Sequence, residues 1–160
     1  MASETYSLIG ADVSEVSSAK TFAVGQRVTG DDGATYEYVE FAAVISGASR
    51  WVGIDETRGL AAYLTTTNLA DGWTVGVTTH SGNATSGQSG WVQINGVAQA
   101  YVASGVTADS LITASGTSGI AGAAASAGAT CILGAVNAAA GASANAAVEV
   151  ILNYPHWNGV

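Results

Sequence analysis

The sequence predicts an all-β sandwich or barrel of about 8 to 10 short, mainly antiparallel strands, preceded by an N-terminal arm. Short apolar-polar alternations recur, broken by Gly, Asn and Asp at intervals of about 8 to 12 residues, the spacing of strands joined by turns. Aromatic and β-branched residues, which suit a pleated and half-buried surface, concentrate in those runs. The one proline, Pro155, stands near the end of the chain, so no proline interrupts the runs before it.

Taken in order, residues 1–20 show little periodicity and are read as an arm ordered by docking onto something else, with residues 21–160 forming a single β domain. Phe22, Val24 and Val28 alternate with Thr21, Ala23 and Arg27. The turn Gly30-Asp31-Asp32-Gly33 then leads into a strand over 34–41. There Tyr36 and Tyr38 share a face with Glu40, and Val39 and Phe41 share one with Glu37, which predicts a bulge or a strand half-covered on both sides. Further strands are expected over 50–54, 60–65 and 73–78. Trp91 to Ala103 reads as a two-residue hairpin about Asn95-Gly96, because that dipeptide supplies the positive φ values of a type I′ turn. In that register Val92, Ile94, Val97 and Tyr101 line one core face. Residues 115–130 are rich in Gly, Ala and Ser, a loop or a short helical turn rather than a long helix. Strands resume over 130–136 and 147–154, the last placing Val148, Val150, Leu152 and Tyr154 on one face before Pro155 closes it.

Charge is distributed unevenly. Only 10% of the chain is charged, against about a quarter in an ordinary domain. Asp109 and Glu149 are the only formal charges in 72–160, and no Lys or Arg follows Arg58. The net charge of −8 and the scattering of Lys20, Arg27, Arg50 and Arg58 argue against nucleic acid and against an anionic membrane as partners. Residues 119–136 carry no charge but are mostly small, so a membrane-spanning helix is not expected. Cys131 is the only cysteine, which excludes an intrachain disulfide, and its apolar neighbours predict a buried side chain. The opening residues have neither a basic segment nor an apolar one, so no secretion signal is expected.

Chemistry-bearing motifs are weak, and no catalytic activity and no cofactor are expected. Gly87-Gln-Ser89-Gly and Gly116-Thr-Ser118-Gly miss the spacing of a nucleophile elbow. His80 and His156, in a loop and in the tail, are read as solvated, although a hydrolase using one of them with a loop serine is a competing reading. Asp31 and Asp32 with Glu37 and Glu40, or Asp55 and Glu56, present oxygens that Ca²⁺ takes, but EF-hand spacing is absent and turn formation accounts for the aspartates. One cysteine and two distant histidines do not make a zinc site. Trp51, Trp73 and Trp91 stand at strand starts and are read as core. Trp157, beyond Pro155, is read as an exposed interface anchor. With Tyr154 of the tail and Tyr6, Leu8 and Ile9 of the arm, it makes up the candidate protein interface.

Four blocks carry a family resemblance: Val24-Gly25 with Val28 to Val39, Gly90 to Val97, Ala108-Asp109 to Gly116, and Val148 to Pro155. In these turn and strand patterns the chain resembles the small β-rich capsid decoration (cement) proteins of tailed bacteriophages. The resemblance implies a homotrimer on the outer surface of an icosahedral head, bound to the major capsid protein and tying neighbouring capsid subunits together. It carries no catalytic residues and no cofactor. The Ala-Gly-rich stretch 119–145 departs from the family in carrying so little charge. A head- or tail-fibre module that binds a host surface glycan is the alternative, motivated by the surplus of Trp and Tyr.

Overall fold

The computed structural model describes residues 7–8, 11–66, 73–124, 131–139 and 145–158. Among them there is no helix, and the chain is all-β as its periodicity predicts. The strands are β1 (Ser7–Leu8), β2 (Ala11–Asp12), β3 (Val16–Ser17), β4 (Arg27–Thr29), β5 (Thr35–Phe41), β6 (Ile45–Ser46), β7 (Trp51–Asp55) and β8 (Leu60–Tyr63). They continue as β9 (Thr74–Thr78), β10 (Asn83–Ala84), β11 (Ser89–Val102), β12 (Ile112–Ala114), β13 (Ala121–Ala123), β14 (Cys131–Asn137) and β15 (Ala146–Asn158).

Five strands close a circuit of hydrogen-bonded neighbours. β5 pairs in parallel with β8, β8 with β7, β7 with β9, β9 with the first half of β11, and β11 with β5 again. Side chains alternate across each strand, so one set points into this ring: Val39 and Phe41, Val52 and Ile54, Ala61, Val92 and Ile94, all fully buried. The opposite set on β5 and β11 faces outward and meets the N-terminal segment. Tyr36, Tyr38 and Trp91 pack there with Val13, Phe22, Val24 and Val28, and the rings of Tyr38 and Trp91 lie 5.0 Å apart. β5 is therefore covered on both sides, as its alternation predicts.

The expected hairpin at Asn95-Gly96 does not form. β11 is one 14-residue strand that runs through the dipeptide. Its first half pairs with β5 over Ser89 to Asn95, and its second half pairs with β15 from Asn95 to Val102. Asn95 is not among the residues with positive φ, whereas Gly96 has φ +95°, so a type I′ turn, which requires both, is not made. What replaces it is a bend with a register shift between Gln93 and Asn95. The Gln93 side-chain amide fastens the bend, donating to the carbonyls of Asn95 (3.1 Å) and Val97 (3.0 Å). Val92 and Ile94 stay in the core, but Val97 is 60% exposed, and Ala98, Ala100 and Val102 are the buried residues of the second half.

That second half belongs to another circuit. β11 pairs with β15, β15 with β14, Val136 of β14 bridges Leu111 just before β12, β12 pairs with β13, and Ala121 of β13 returns to Val102 of β11. The apolar interior of this circuit (Ala100, Ile112, Ile132, Val150, Leu152) packs on the outward faces of β7 and β9 through Trp51, Val75 and Val77. The Trp51 indole also donates to the Tyr101 carbonyl at 3.0 Å.

β15 does not stop at Pro155. It continues to Asn158 across an irregularity in which Leu133 pairs with His156 and Ala135 with Leu152. Gly134 faces the three extra residues, and a Cβ there would lie 2.5 Å from the Asn153 carbonyl oxygen. A bulge is where a strand tolerates proline, since no ladder bond is required of its nitrogen. Residues 11–20, read as part of an arm, lie against the domain itself. Val13 is 3% exposed, and β3 pairs with Ser89 and Gly90 of β11. Of the stretch 115–130, Ala121–Ala123 forms β13, and residues 125–130 lie outside the described residues.

Candidate interaction surface

The outward face of the second circuit is built by register. Directly opposed residues of paired strands share one face. Val97 of β11 is opposite Ile151 of β15, Ile151 is opposite Val136 of β14, and Val136 bridges Leu111. The four make a continuous apolar row across the sheet, about 15 Å long at the usual strand spacing. Val97 (60%), Ile151 (49%) and Leu111 (41%) are exposed, and Val136 is half-buried.

Polar neighbours of this row are mostly neutral. Asn95 and Asn153 are opposed on one side of it, and Gln99 and Glu149 on the other. Glu149 is thus the one formal charge among these flanking pairs. Farther along, Tyr101 is opposite Ala147, and the Arg50 guanidinium lies 4.1 Å from the centre of the Tyr101 ring, a cation–π contact at the margin.

A groove of about 480 Å³ opens beside the row. It lies over the outward face of the first ring, where Gln93 and Val77 are paired across β11 and β9. The N-terminal segment bounds it through Val13, the 30–36 turn and strand through Asp32 and Tyr36, and the second half of β11 through Val97. Asp32 accepts from the Ala34 amide (2.9 Å) and from the Tyr36 hydroxyl (2.5 Å).

Of the candidate interface residues, Tyr6 and Ile9 lie outside the described residues, and Leu8 is placed only as a member of β1 opposite Ala11. Tyr154 is 49% exposed, in the bulge, with φ +47°. Trp157 is a correction. It is 5% exposed, opposite Ile132, in the core of the second circuit. The strand's continuation past Pro155 carries it there, so it is no exposed anchor. Trp51 and Trp91 are also core residues, and with Trp157 they leave Trp73, half-buried, as the remaining tryptophan for a glycan platform. The apolar row was missed in the sequence because its members are single residues on three strands and one bridge position just before β12; only the register joins them.

The other candidate sites resolve into internal contacts. His80 is fully buried rather than solvated. Its Nε2 lies 3.3 Å from the Ile45 carbonyl, its ring packs edge-on against Phe41, and its Nδ1 has no partner among the described residues. Ser89 Oγ is likewise unpartnered, so these two groups form no Ser–His hydrogen bond. Burial holds the His80 imidazole below its ordinary pKa. Cys131 is buried, as its neighbours predict. Glu37, 3% exposed, accepts from Arg27 at 2.7 Å; burial pushes its carboxyl above the ordinary range, and Arg27 pulls it partly back. Asp55 accepts from the Thr57 amide at 3.0 Å, and Glu56 accepts from the Thr74 hydroxyl. No group of three or more His, Cys, Asp or Glu able to hold a metal ion occurs among the described residues, nor does a helix long and apolar enough to cross a membrane.

No protein-family model matches the chain, and no curated protein matches it.

Proposed function

We propose that this chain is a virion structural protein: a capsid decoration protein that binds the outer head surface as a homotrimer and stabilises contacts between major capsid subunits. The observation that carries the reading is the exposed row Val97-Ile151-Val136-Leu111, set in a half of the chain with almost no charge. Contiguous exposed apolar surface marks association sites, and depletion of charge is the compositional signature of an interface core. The resemblance of the turn and strand blocks to those of the decoration proteins of tailed phages suggests the partner. A head under outward pressure gains stability from added interface area at its symmetry axes, and a chain with a net charge of −8 and only four scattered Lys and Arg residues avoids capture by released nucleic acid.

The test is light scattering on the purified protein, together with addition to heads that lack it. A trimer that adds to heads in saturable copy number, and raises the temperature at which they open, is expected. A protein that stays monomeric at high concentration and leaves heads unbound sinks the reading.

A further inference from the structure

We infer that the groove beside β11 is a socket for a basic side chain, arginine or lysine, presented by a partner protein. The inference follows from which hydrogen-bonding capacity the groove has already spent. The side-chain protons of the lining are largely committed: Ser14 Oγ donates to Asp12 at 2.7 Å, Thr78 Oγ1 to the Gly47 carbonyl at 2.9 Å, and Thr79 Oγ1 to the Val13 carbonyl at 2.5 Å. Gln93 uses both N–H groups on the carbonyls of Asn95 and Val97. Carbonyls only accept, so the orientation of that amide is fixed by its partners.

What is left over mostly accepts. Gln93 is 6% exposed and lines the groove, yet its Oε1 takes no hydrogen bond among the described residues. Each Asp32 oxygen accepts one bond and keeps capacity for another. The lining contains no Lys, Arg or His, and the chain carries a net charge of −8. A wall that offers acceptors and negative charge suits a group that only donates, which describes ammonium and guanidinium. Sugar hydroxyls donate and accept alike, and here only Ser49 and Gln99 retain side-chain donors among the described lining residues. Val13, Val77, Val97 and Ala98 give the methylene stem of such a side chain an apolar wall, with its head at the acceptors. A groove of about 480 Å³ admits the whole side chain with part of its backbone.

The inference rests on the assembly reading in one respect, that the bearer is a protein. Its test is independent of that reading. The full chain, labelled with ¹⁵N, is titrated with Nα-acetyl-arginine amide, with the neutral citrulline analogue, and with methyl glucoside. Saturable shifts at Gly33, Ala34, Thr79 and the Gln93 side-chain amide are expected with the arginine analogue, and binding about tenfold weaker with citrulline, a difference of about 1.4 kcal/mol. Asp32→Asn keeps an oxygen for the Ala34 amide while removing the charge, and it too weakens the arginine analogue about tenfold. Equal binding of citrulline or glucoside, shifts that follow Asp55 and Glu40 instead of the groove, or no saturable change at tens of millimolar overturns the socket. Any of these leaves head binding and trimer formation untouched.

Discussion

His80 shows how a single side chain ties stability to pH. A neutral imidazole has one donor and one acceptor nitrogen. With Nε2 beside the Ile45 carbonyl, Nε2 carries the proton and Nδ1 presents a bare lone pair. Protonating Nδ1 would place a charge and an unmatched donor in a fully buried position, which accounts for the direction of its shift. With the folded pKa below the unfolded one, the unfolded chain binds more protons as pH falls below about 6.5. Stability is therefore complete above that value and declines beneath it, by at most about 1.4 kcal/mol per pH unit. Glu37 acts in the opposite sense. Its raised pKa makes the folded state bind more protons, so its contribution improves as pH falls towards the unfolded value. Comparing wild type with His80→Leu in urea titrations between pH 8 and 5 separates the two, since Glu37 is common to both. The wild-type protein is expected to lose stability relative to the variant below about pH 6.5; parallel curves would refute the assignment.

At the scale of the element, β11 decides the architecture, because its two halves serve two circuits. Its sequence carried the information in a form that the Asn-Gly signal masked. Val92, Ile94, Gly96, Ala98, Ala100 and Val102 continue one alternation of period two without a break, and the five with side chains are all buried. A hairpin would have required Val97 rather than Ala98 to face the core. The local turn preference lost because each half finds a longer partner elsewhere, β5 for the first and β15 for the second. Gly96 nonetheless remains indispensable. It holds φ +95°, and a Cβ there would lie 3.1 Å from both Cα and Cβ of Ala34. Gly96→Ala is expected to cost about 2 kcal/mol, within the range for a side chain forced into such backbone, read as a lower urea midpoint with an unchanged slope. A variant as stable as wild type would mean that the bend relaxes without glycine. The same lesson holds for β15, where Pro155 looked like a stop. The glycine that makes room for its bulge, Gly134, lies on another strand, and no local pattern pairs the two.

For the whole molecule, burial and charge divide the two circuits differently. The first ring is covered outside by the N-terminal segment on β5 and β11, with Tyr38, Trp91 and Phe22 in mutual contact, and by the second circuit on β7 and β9. The second presents its outer face uncovered by the described chain. All-β class, most strands and the charge-poor half were legible in the sequence, since each is a property of neighbouring residues. The apolar row and the groove were not, because each joins residues of distant segments through register. If the row is the assembly surface, its chemistry should matter to association and little to folding. Ile151→Lys adds a charge at the centre of the row, on a side chain already 49% exposed. Such surface changes usually fall within about 0.5 kcal/mol of wild-type stability, whereas loss of an interface anchor costs about 2 kcal/mol or more. The variant is expected to melt like wild type but to run as monomer, and to bind heads at least about 30-fold more weakly, the equivalent of about 2 kcal/mol. Val44→Lys serves as the control. Val44 is 54% exposed but stands between β5 and β6, away from the row, and the same substitution there should leave oligomer and head binding unchanged. If the two variants behave alike, with both intact or both impaired, the row is not the surface on which this protein assembles.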